Sequence, residues 1–216
     1  MQHRDHARVR LATAEVYDPR ADQWTAVGGL GEARNDLALG LLPDGRVLAC
    51  GGQNAKNAIL KSSELFDPAS GTWSKGPALS FKSSGMATVS LDNGSPVFVG
   101  GSEALFVGID AQPIWFRDSK PTDVQRGLHA AVALPGRRAM ILGGFAHKKD
   151  CSLATTEVLG EDGVVREGPS LLKARHGHAA VALGDGRVLV IGGVNANRKK
   201  KLNEELADCE ILELGA

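Results

Sequence analysis

Val47-Leu48-Ala49-Cys50-Gly51-Gly52 runs a short apolar segment straight into a glycine pair. The phrase returns as Val97-Phe98-Val99-Gly100-Gly101, Met140-Ile141-Leu142-Gly143-Gly144 and Val188-Leu189-Val190-Ile191-Gly192-Gly193. Its leading glycines, Gly51, Gly100, Gly143 and Gly192, stand 49, 43 and 49 residues apart. A basic residue precedes each at near-constant distance: Arg34, Lys82, Arg126 and Arg175 lie 17, 18, 17 and 17 residues upstream. Spacing this regular means repeated supersecondary units, which must be recognised before any single motif is interpreted.

Outward from the glycine pair, each unit keeps one order. A small apolar segment comes first, as in His178-Ala179-Ala180-Val181-Ala182-Leu183. It is joined to the apolar run by Asp44-Gly45, Asn93-Gly94, Pro135-Gly136 or Asp185-Gly186, dipeptides that favour hairpins. The run itself is continuously apolar, which predicts a strand buried on both faces. A loop then leads to a third strand, Ala14-Glu15-Val16-Tyr17-Asp18-Pro19 or Ser63-Glu64-Leu65-Phe66-Asp67-Pro68. A turn leads to a fourth, entered at Gln23-Trp24-Thr25 or Thr72-Trp73-Ser74, with glutamate and tryptophan nine residues apart both times. Four antiparallel strands in roughly 50 residues fit a β-propeller blade. Small residues suit its innermost strand, which converges on a narrow channel. The glycine pairs are expected to be structural, because a phosphate cradle needs a helix start after the glycines and none is visible.

Composition agrees with a β-rich globular chain. The 216 residues include 27 glycines, one in eight, which points to many tight turns or bulges. Apolar residues make up 43% and charged residues 23%, too apolar for disorder. The 25 basic and 25 acidic residues give zero formal net charge, which argues against nucleic acid or an anionic membrane as the main partner. No stretch approaches the roughly 18 continuous apolar residues of a membrane span. Met1-Gln2-His3-Arg4-Asp5-His6 has no apolar segment behind it and does not read as a signal peptide. Cys50, Cys151 and Cys209 are odd in number and widely spaced, against a disulfide framework or a zinc site. A complete chain would therefore be cytoplasmic, and a piece of a longer protein leaves the compartment open, secretion included.

The four phrases in register, with the two Glu–Trp pairs, resemble the kelch repeat family. Leu42-Pro43-Asp44-Gly45-Arg46-Val47-Leu48 and Glu64-Leu65-Phe66-Asp67-Pro68-Ala69-Ser70-Gly71-Thr72-Trp73 are similar to its bacterial branch. The resemblance covers nearly the whole chain. It implies an all-β, kelch-type β-propeller of four-stranded antiparallel blades with about four repeats, incomplete, open or part of a larger propeller. The units fall at 33–80, 81–125 and 126–173, with partial units at 1–32 and 174–216. Departures from the pattern are expected in three places. Phe106 takes the glutamate position of the second unit, with Trp115 nine residues on; Arg166 replaces the tryptophan after Glu157; and Glu210 follows a longer insertion.

In kelch proteins the ligand face is built from loops that lead into the innermost strand and loops that leave the diglycine. Carried onto this sequence, the first group is Arg34, Asn35, Asp36, Lys82, Ser83, Ser84, Arg126, Arg175, His176 and His178. The second is Gln53, Asn54, Ser102, Glu103, His147, Asn195 and Asn197. A ring of guanidinium, ammonium and amide donors suits carboxylates, acidic side chains or sugars. Each basic residue either serves that recognition or bonds to neighbouring-blade carbonyls and holds the blades together.

His176 and His178 are two apart and would share a face if both lie in a strand. His129 stands three residues after Arg126, as His178 does after Arg175, which places the two histidines on adjacent blades. A metal site needs three or four converging ligands, so packing inside the channel is the expected role, with no metal and no cofactor. Arg198-Lys199-Lys200-Lys201 is offset by Glu204 and Glu205 and reads as a solvated loop rather than a nucleic-acid contact. Cys50, in an apolar strand, reads as an inert thiol.

The galactose oxidase type of this fold needs tyrosine ligands to copper and a tyrosine–cysteine crosslink, and Tyr17 is the one tyrosine. The specifier-protein iron spacing Glu-x-x-x-Asp-x-x-x-His does not occur. A sialic-acid mutarotase type would need only positioned acid and base groups, such as Glu103 with Arg126 or His129. The expected function is a binding module without catalytic residues. It would recognise a protein or carbohydrate partner at its loop face, with no nucleic acid and no membrane, and an oligomer or continued chain completing the ring. The alternatives are that carbohydrate-active enzyme or a structural segment of a composite propeller.

Overall fold

The computed structural model describes residues 9–79, 82–100 and 126–213, together with the backbone of 103–107 and 113–114. Strands β1 (Ala14–Asp18) and β2 (Gln23–Val27) form a two-stranded hairpin. The first full blade is β3 (Ala38–Leu41), β4 (Val47–Cys50), β5 (Ser63–Asp67) and β6 (Thr72–Lys75). The second is β7 (Ala87–Ser90), β8 (Pro96–Gly100), β9 (Glu103–Val107) and β10 (Pro113–Ile114).

Beyond these, β11 (Arg126–Gly127) precedes β12 (Ala130–Leu134) and β13 (Arg138–Leu142); β14 (Phe145–Ala146) and β15 (Cys151–Ser152) follow, then β16 (Thr156–Leu159) and β17 (Val165–Glu167). The third blade is β12-β13-β16-β17. The last blade has three strands, β18 (Ala179–Ala182), β19 (Val188–Ile191) and β22 (Cys209–Leu212). Between them lie β20 (Val194–Asn197) and β21 (Leu202–Glu205). Every pairing is antiparallel, and within each blade the strands follow one another in chain order, as the repeat predicted.

The core lies between blades. Leu48, Cys50, Met86 and Phe98 join the first two blades; Val97, Val99, Ala139 and Ile141 the next two; Met140, Leu142, Val188 and Val190 the last two. The second strands β8 and β13 are buried along nearly their whole length because a blade covers each face. Burying each such side chain contributes about 1.5–3 kcal/mol. β19 departs from the expectation, since one of its faces has no neighbour. Ile191 is 48% exposed, whereas Leu142 and Cys50 at the same position are 0% exposed. At the other end Leu39 and Leu41 are also exposed, so the array of blades is open at both ends.

The glycine pairs are structural for a reason the sequence did not disclose. Gly143 and Gly144 have φ of 55° and 103°, and a Cβ on Gly143 would lie 2.6 Å from the carbonyl oxygen of Arg175. That carbonyl accepts a hydrogen bond from the Gly144 amide at 2.8 Å. In the first and third blades the diglycine is therefore the contact that holds the segment leading into the next blade, and a side chain would push the two backbones apart.

The Glu–Trp spacing also has a packing cause. Across the β5–β6 hairpin Trp73 opposes Phe66, with ring centroids 5.1 Å apart, and Trp24 opposes Tyr17 in the same way. Trp115 and Ser102 lie outside the described residues, as do the side chains of Glu103 and Phe106. No helix among the described residues is long and apolar enough to cross a membrane.

Candidate functional site

The arginines come first, because their position sets what the loop face can present. Arg34 is fully buried, with Nη1 donating to the carbonyls of Gly51 at 2.9 Å and Ser62 at 3.1 Å, and Nη2 2.7 Å from Glu64 Oε1. Arg126 repeats the arrangement on Gly143 at 3.1 Å and Glu157 at 3.0 Å. Arg175 repeats it on Gly192 at 2.8 Å, with an ion pair to Glu210 at 2.9 Å and a hydrogen bond to Asp208 at 3.2 Å. The Arg175–Glu210 contact is close but off-axis, since Glu210 Oε1 has no aligned donor. Burial pushes the Arg126 guanidinium down from its usual value, against the field of Glu157.

Each arginine thus satisfies carbonyls and a carboxylate of its own blade, rather than those of a neighbour. The glutamates complete the device: Glu64 accepts the amides of Gly31 at 2.6 Å and Glu32 at 3.3 Å, and Glu210 that of Leu172 at 2.6 Å. All six lock the lead-in loops. The guanidiniums of Arg34, Arg126 and Arg175 are thus engaged within their own blades, and Arg126 also lines the loop-face cleft.

Lys82 is placed differently. The Gly52 amide donates to Ser83 O at 2.8 Å, and the Ser83 amide donates to Leu60 O at 3.0 Å. Two blade interfaces later, Gly144 donates to Arg175 O at 2.8 Å and the Arg175 amide to Leu153 O at 3.0 Å. Ser83 is therefore the structural counterpart of the arginines, and Lys82 is an exposed extra residue just before it.

Register corrects the glutamate position too. Glu64, Glu157 and Glu210 pair with the residue two before the first glycine, and in the second blade that residue, Phe98, pairs with Leu105 rather than Phe106. The second blade has lost both charges together, as expected when one partner alone would leave a buried charge uncompensated.

The histidines also take places within the framework. His129 Nε2 is 2.9 Å from the carbonyl oxygen of Val99 in the preceding blade. His178 packs against Gly143 of its preceding blade, and neither of its ring nitrogens has a partner; burial and the Arg175 charge push its pKa down to about 4. His176 does not share its face. Gly177 at φ 62° breaks the alternation, and His176 Nδ1 instead meets Ser152 Oγ at 2.9 Å, its pKa lowered by partial burial. Among the described residues no three His, Cys, Asp or Glu side chains converge as a metal site would need. Cys50 is buried and its thiol is pushed up to about 12, which leaves it protonated and inert.

A cleft of about 590 Å³ does open on the loop face, across the first three blades. It gathers Asp36, Gln53, Lys82, Ser83, Ser84, Arg126 and His147 from the predicted set, and adds Ile59 and Leu128, which sequence reasoning missed. Leu128 is 62% exposed, with φ 54°. Asp36, Gly85 and Gly177 occupy the equivalent position with positive φ, and the amides of Gly85 and Gly177 donate to Asp36 O at 2.9 Å and Leu128 O at 2.8 Å. The same backbone link that joins blades thus turns one residue of each lead-in outward, and in the third blade that residue is a leucine. Lys82 has no ion pair among the described residues.

Outside the cleft, Asn35 accepts from Arg10 Nε at 3.1 Å, and Asn54 donates to Glu32 at 2.9 Å while capping its own turn. Arg10 also reaches Asn57, a cluster that no repeat spacing marks.

Asn195 lies in β20, part of a second layer that the sequence did not predict. The strands β11, β14, β15, β20 and β21 form a five-stranded sheet linking loops of the third and last blades. The run Arg198–Lys201, expected as a plain solvated loop, is its ordered hairpin tip. Asn197 caps it by accepting from the Lys200 amide at 3.1 Å, and the Arg198 amide bonds to Asp150 O at 2.9 Å.

Packed antiparallel blades, with loops gathered on one side, define a β-propeller array. Residues 42–80 match the Kelch motif family. A kelch repeat and BTB domain-containing protein of Caenorhabditis elegans is 42% identical over 64 residues, 30% of this chain and 11% of that protein. Kelch-like protein 36 of Bos taurus is 28% identical over 192 residues, 82% of this chain and 30% of that protein. The structure titled "Structure of YjhT" shares the fold, with a TM-score of 0.66 at 11% identity, covering 92% of this chain and 72% of that one. The chain carries repeats similar to the kelch motif, and it spans 11% and 30% of the two curated relatives named.

Proposed function

We propose that the chain is a non-catalytic recognition module that seats a protein partner in the loop-face cleft. The observation that carries this reading is the pairing of exposed Leu128 and Ile59 with the unpaired Lys82 across one cleft. Exposed apolar side chains beside a free cation suit a partner segment that presents an apolar anchor next to a carboxylate. Loops on a rigid scaffold are where recognition is usually placed, and the arginine–glutamate locks supply that rigidity. The kelch-like relatives favour a protein partner over a carbohydrate.

The mutarotase-type alternative draws less support. Arg126 is committed to Glu157 and Gly143, and His129 to Val99, so two of its three acid–base candidates already hold structural partners. In the same reading, the exposed faces at Ile191 and at Leu39 are covered in the assembled protein by further blades or a second copy. Native mass distinguishes those two.

The direct test places a photo-crosslinking amino acid at position 128 and irradiates the chain in its native extract. A discrete protein adduct at 128, absent with the label at Lys75 on outer strand β6, is the expected result. No protein adduct at 128, with binding on a glycan array instead, would move the reading to carbohydrate; neither would sink the cleft as the binding site.

A further inference from the structure

The two loop tips joined by the accessory sheet carry Lys148 and Lys149 on one side and Arg198, Lys199, Lys200 and Lys201 on the other. These residues are exposed, and among the described residues the five lysines have no ion pair. Arg198 has one ion-pair partner among the described residues, Asp150 at 3.5 Å. In a chain of zero formal net charge this is a marked concentration of one sign.

Like charges held close together repel, so left to themselves the tips would separate. The fold does the reverse. Cys151 pairs with Asn197 across β15 and β20, the Arg198 amide bonds to Asp150 O at 2.9 Å, and Lys201 closes the tip at φ 54°. The Arg198 guanidinium also sits 5.2 Å from the centroid of the Phe145 ring. Backbone and capping bonds therefore hold together two loop tips of like charge, an arrangement suited to an anion.

We propose that these joined tips bind a short acidic segment of a polypeptide, at a surface separate from the loop-face cleft. The boundaries of the patch select that partner. Asp150 between the tips and Glu204, Glu205 and Asp208 beyond the other hairpin strand limit the positive surface to the tips. A continuous phosphate backbone would run from the tips into these carboxylates, whereas a run of a few aspartates and glutamates ends within the patch. Phe145 is 5% exposed, which leaves it no open face for stacking a nucleobase. Beside the tips, β21 is the edge of its sheet, and its exposed residues offer main-chain groups to an extended segment.

The test is fluorescence anisotropy of the full chain with three probes: a labelled twelve-residue Glu/Asp peptide, its Gln/Asn counterpart and a 20-base-pair DNA duplex. The acidic peptide is expected to bind, and its affinity to fall at least tenfold in K148E/K149E, in K199E/K200E and on raising salt from 50 to 300 mM. K75E, which reverses an exposed lysine on the outer strand β6, is expected to change it less than twofold. Thermal melts of all variants show that the fold is retained. Absence of peptide binding, equal binding of the uncharged counterpart, tighter binding of DNA, or insensitivity to both tip reversals would each overturn the assignment. None of these results bears on the crosslinking experiment at position 128.

Discussion

Arg34 and Glu64 meet at 2.7 Å inside the first blade, thirty residues apart in sequence and both withdrawn from solvent. Their contact fixes the segment leading into the blade, and Arg126–Glu157 and Arg175–Glu210 repeat it. Removing one member leaves the other buried without its charge partner. Glu64→Ala or Arg34→Ala is expected to lose about 3–5 kcal/mol of stability, whereas replacing a buried pair together is often nearly neutral. The second blade already carries such a replacement in Ser83 and Leu105. Urea denaturation should therefore find Arg126→Ser with Glu157→Leu milder than either change alone. Additive losses in the double variant would contradict the coupling.

Gly143 gives a sharper test of blade-to-blade contact. A Cβ there would lie 2.6 Å from Arg175 O at a φ of 55°. Gly143→Ala is expected to destabilise by more than about 1 kcal/mol. The same change at Gly177, also at positive φ but with open space around its Cβ, is expected to be milder. Equal melting temperatures for the two variants would show that conformation, not the clash, sets the requirement.

His178 predicts a pH dependence of defined sign. Its folded-state pKa lies near 4, below the ordinary value of 6.5, so the unfolded chain binds the additional proton between those limits. Stability conferred by the neutral ring is therefore complete above about pH 6.5 and declines as pH falls towards 4, by at most about 3 kcal/mol. His129, lowered by burial, acts in the same direction. His178→Met, which installs the residue that Met86 supplies in the second blade, should flatten this part of the profile in chemical denaturation between pH 4 and 7. An unchanged slope would assign the acid sensitivity to other groups.

The blades were legible in the sequence because their periodicity reflects a steric demand: wherever Arg175 O or its counterpart approaches, glycine must stand. Continuous apolar runs likewise announced strands covered on both faces. The arginines were legible as a repeat but not as structural groups, because each finds its glutamate only after three strands have formed. In the second blade the conspicuous charge of Lys82 masked Ser83, whose carbonyl makes the conserved backbone contact within this repeat set. Leu105 was hidden by Phe106 because only strand register tells the two apart. The accessory sheet left no signal. Its strands β11, β14 and β15 are two residues long, too short for any period, and it forms only through pairing between blades. Leu128 was missed because its outward turn comes from backbone geometry at φ 54° rather than from residue type.

The central claim, that partners meet the loop-face cleft, rests on Leu128 and Lys82. The deciding measurement is the dissociation constant of the partner identified by crosslinking at position 128, taken for the wild-type chain and for K82E/L128D with matched thermal stability. The double variant should weaken binding at least tenfold, about 1.4 kcal/mol or more. Binding that survives K82E/L128D unchanged would contradict the assignment of the cleft as the recognition site.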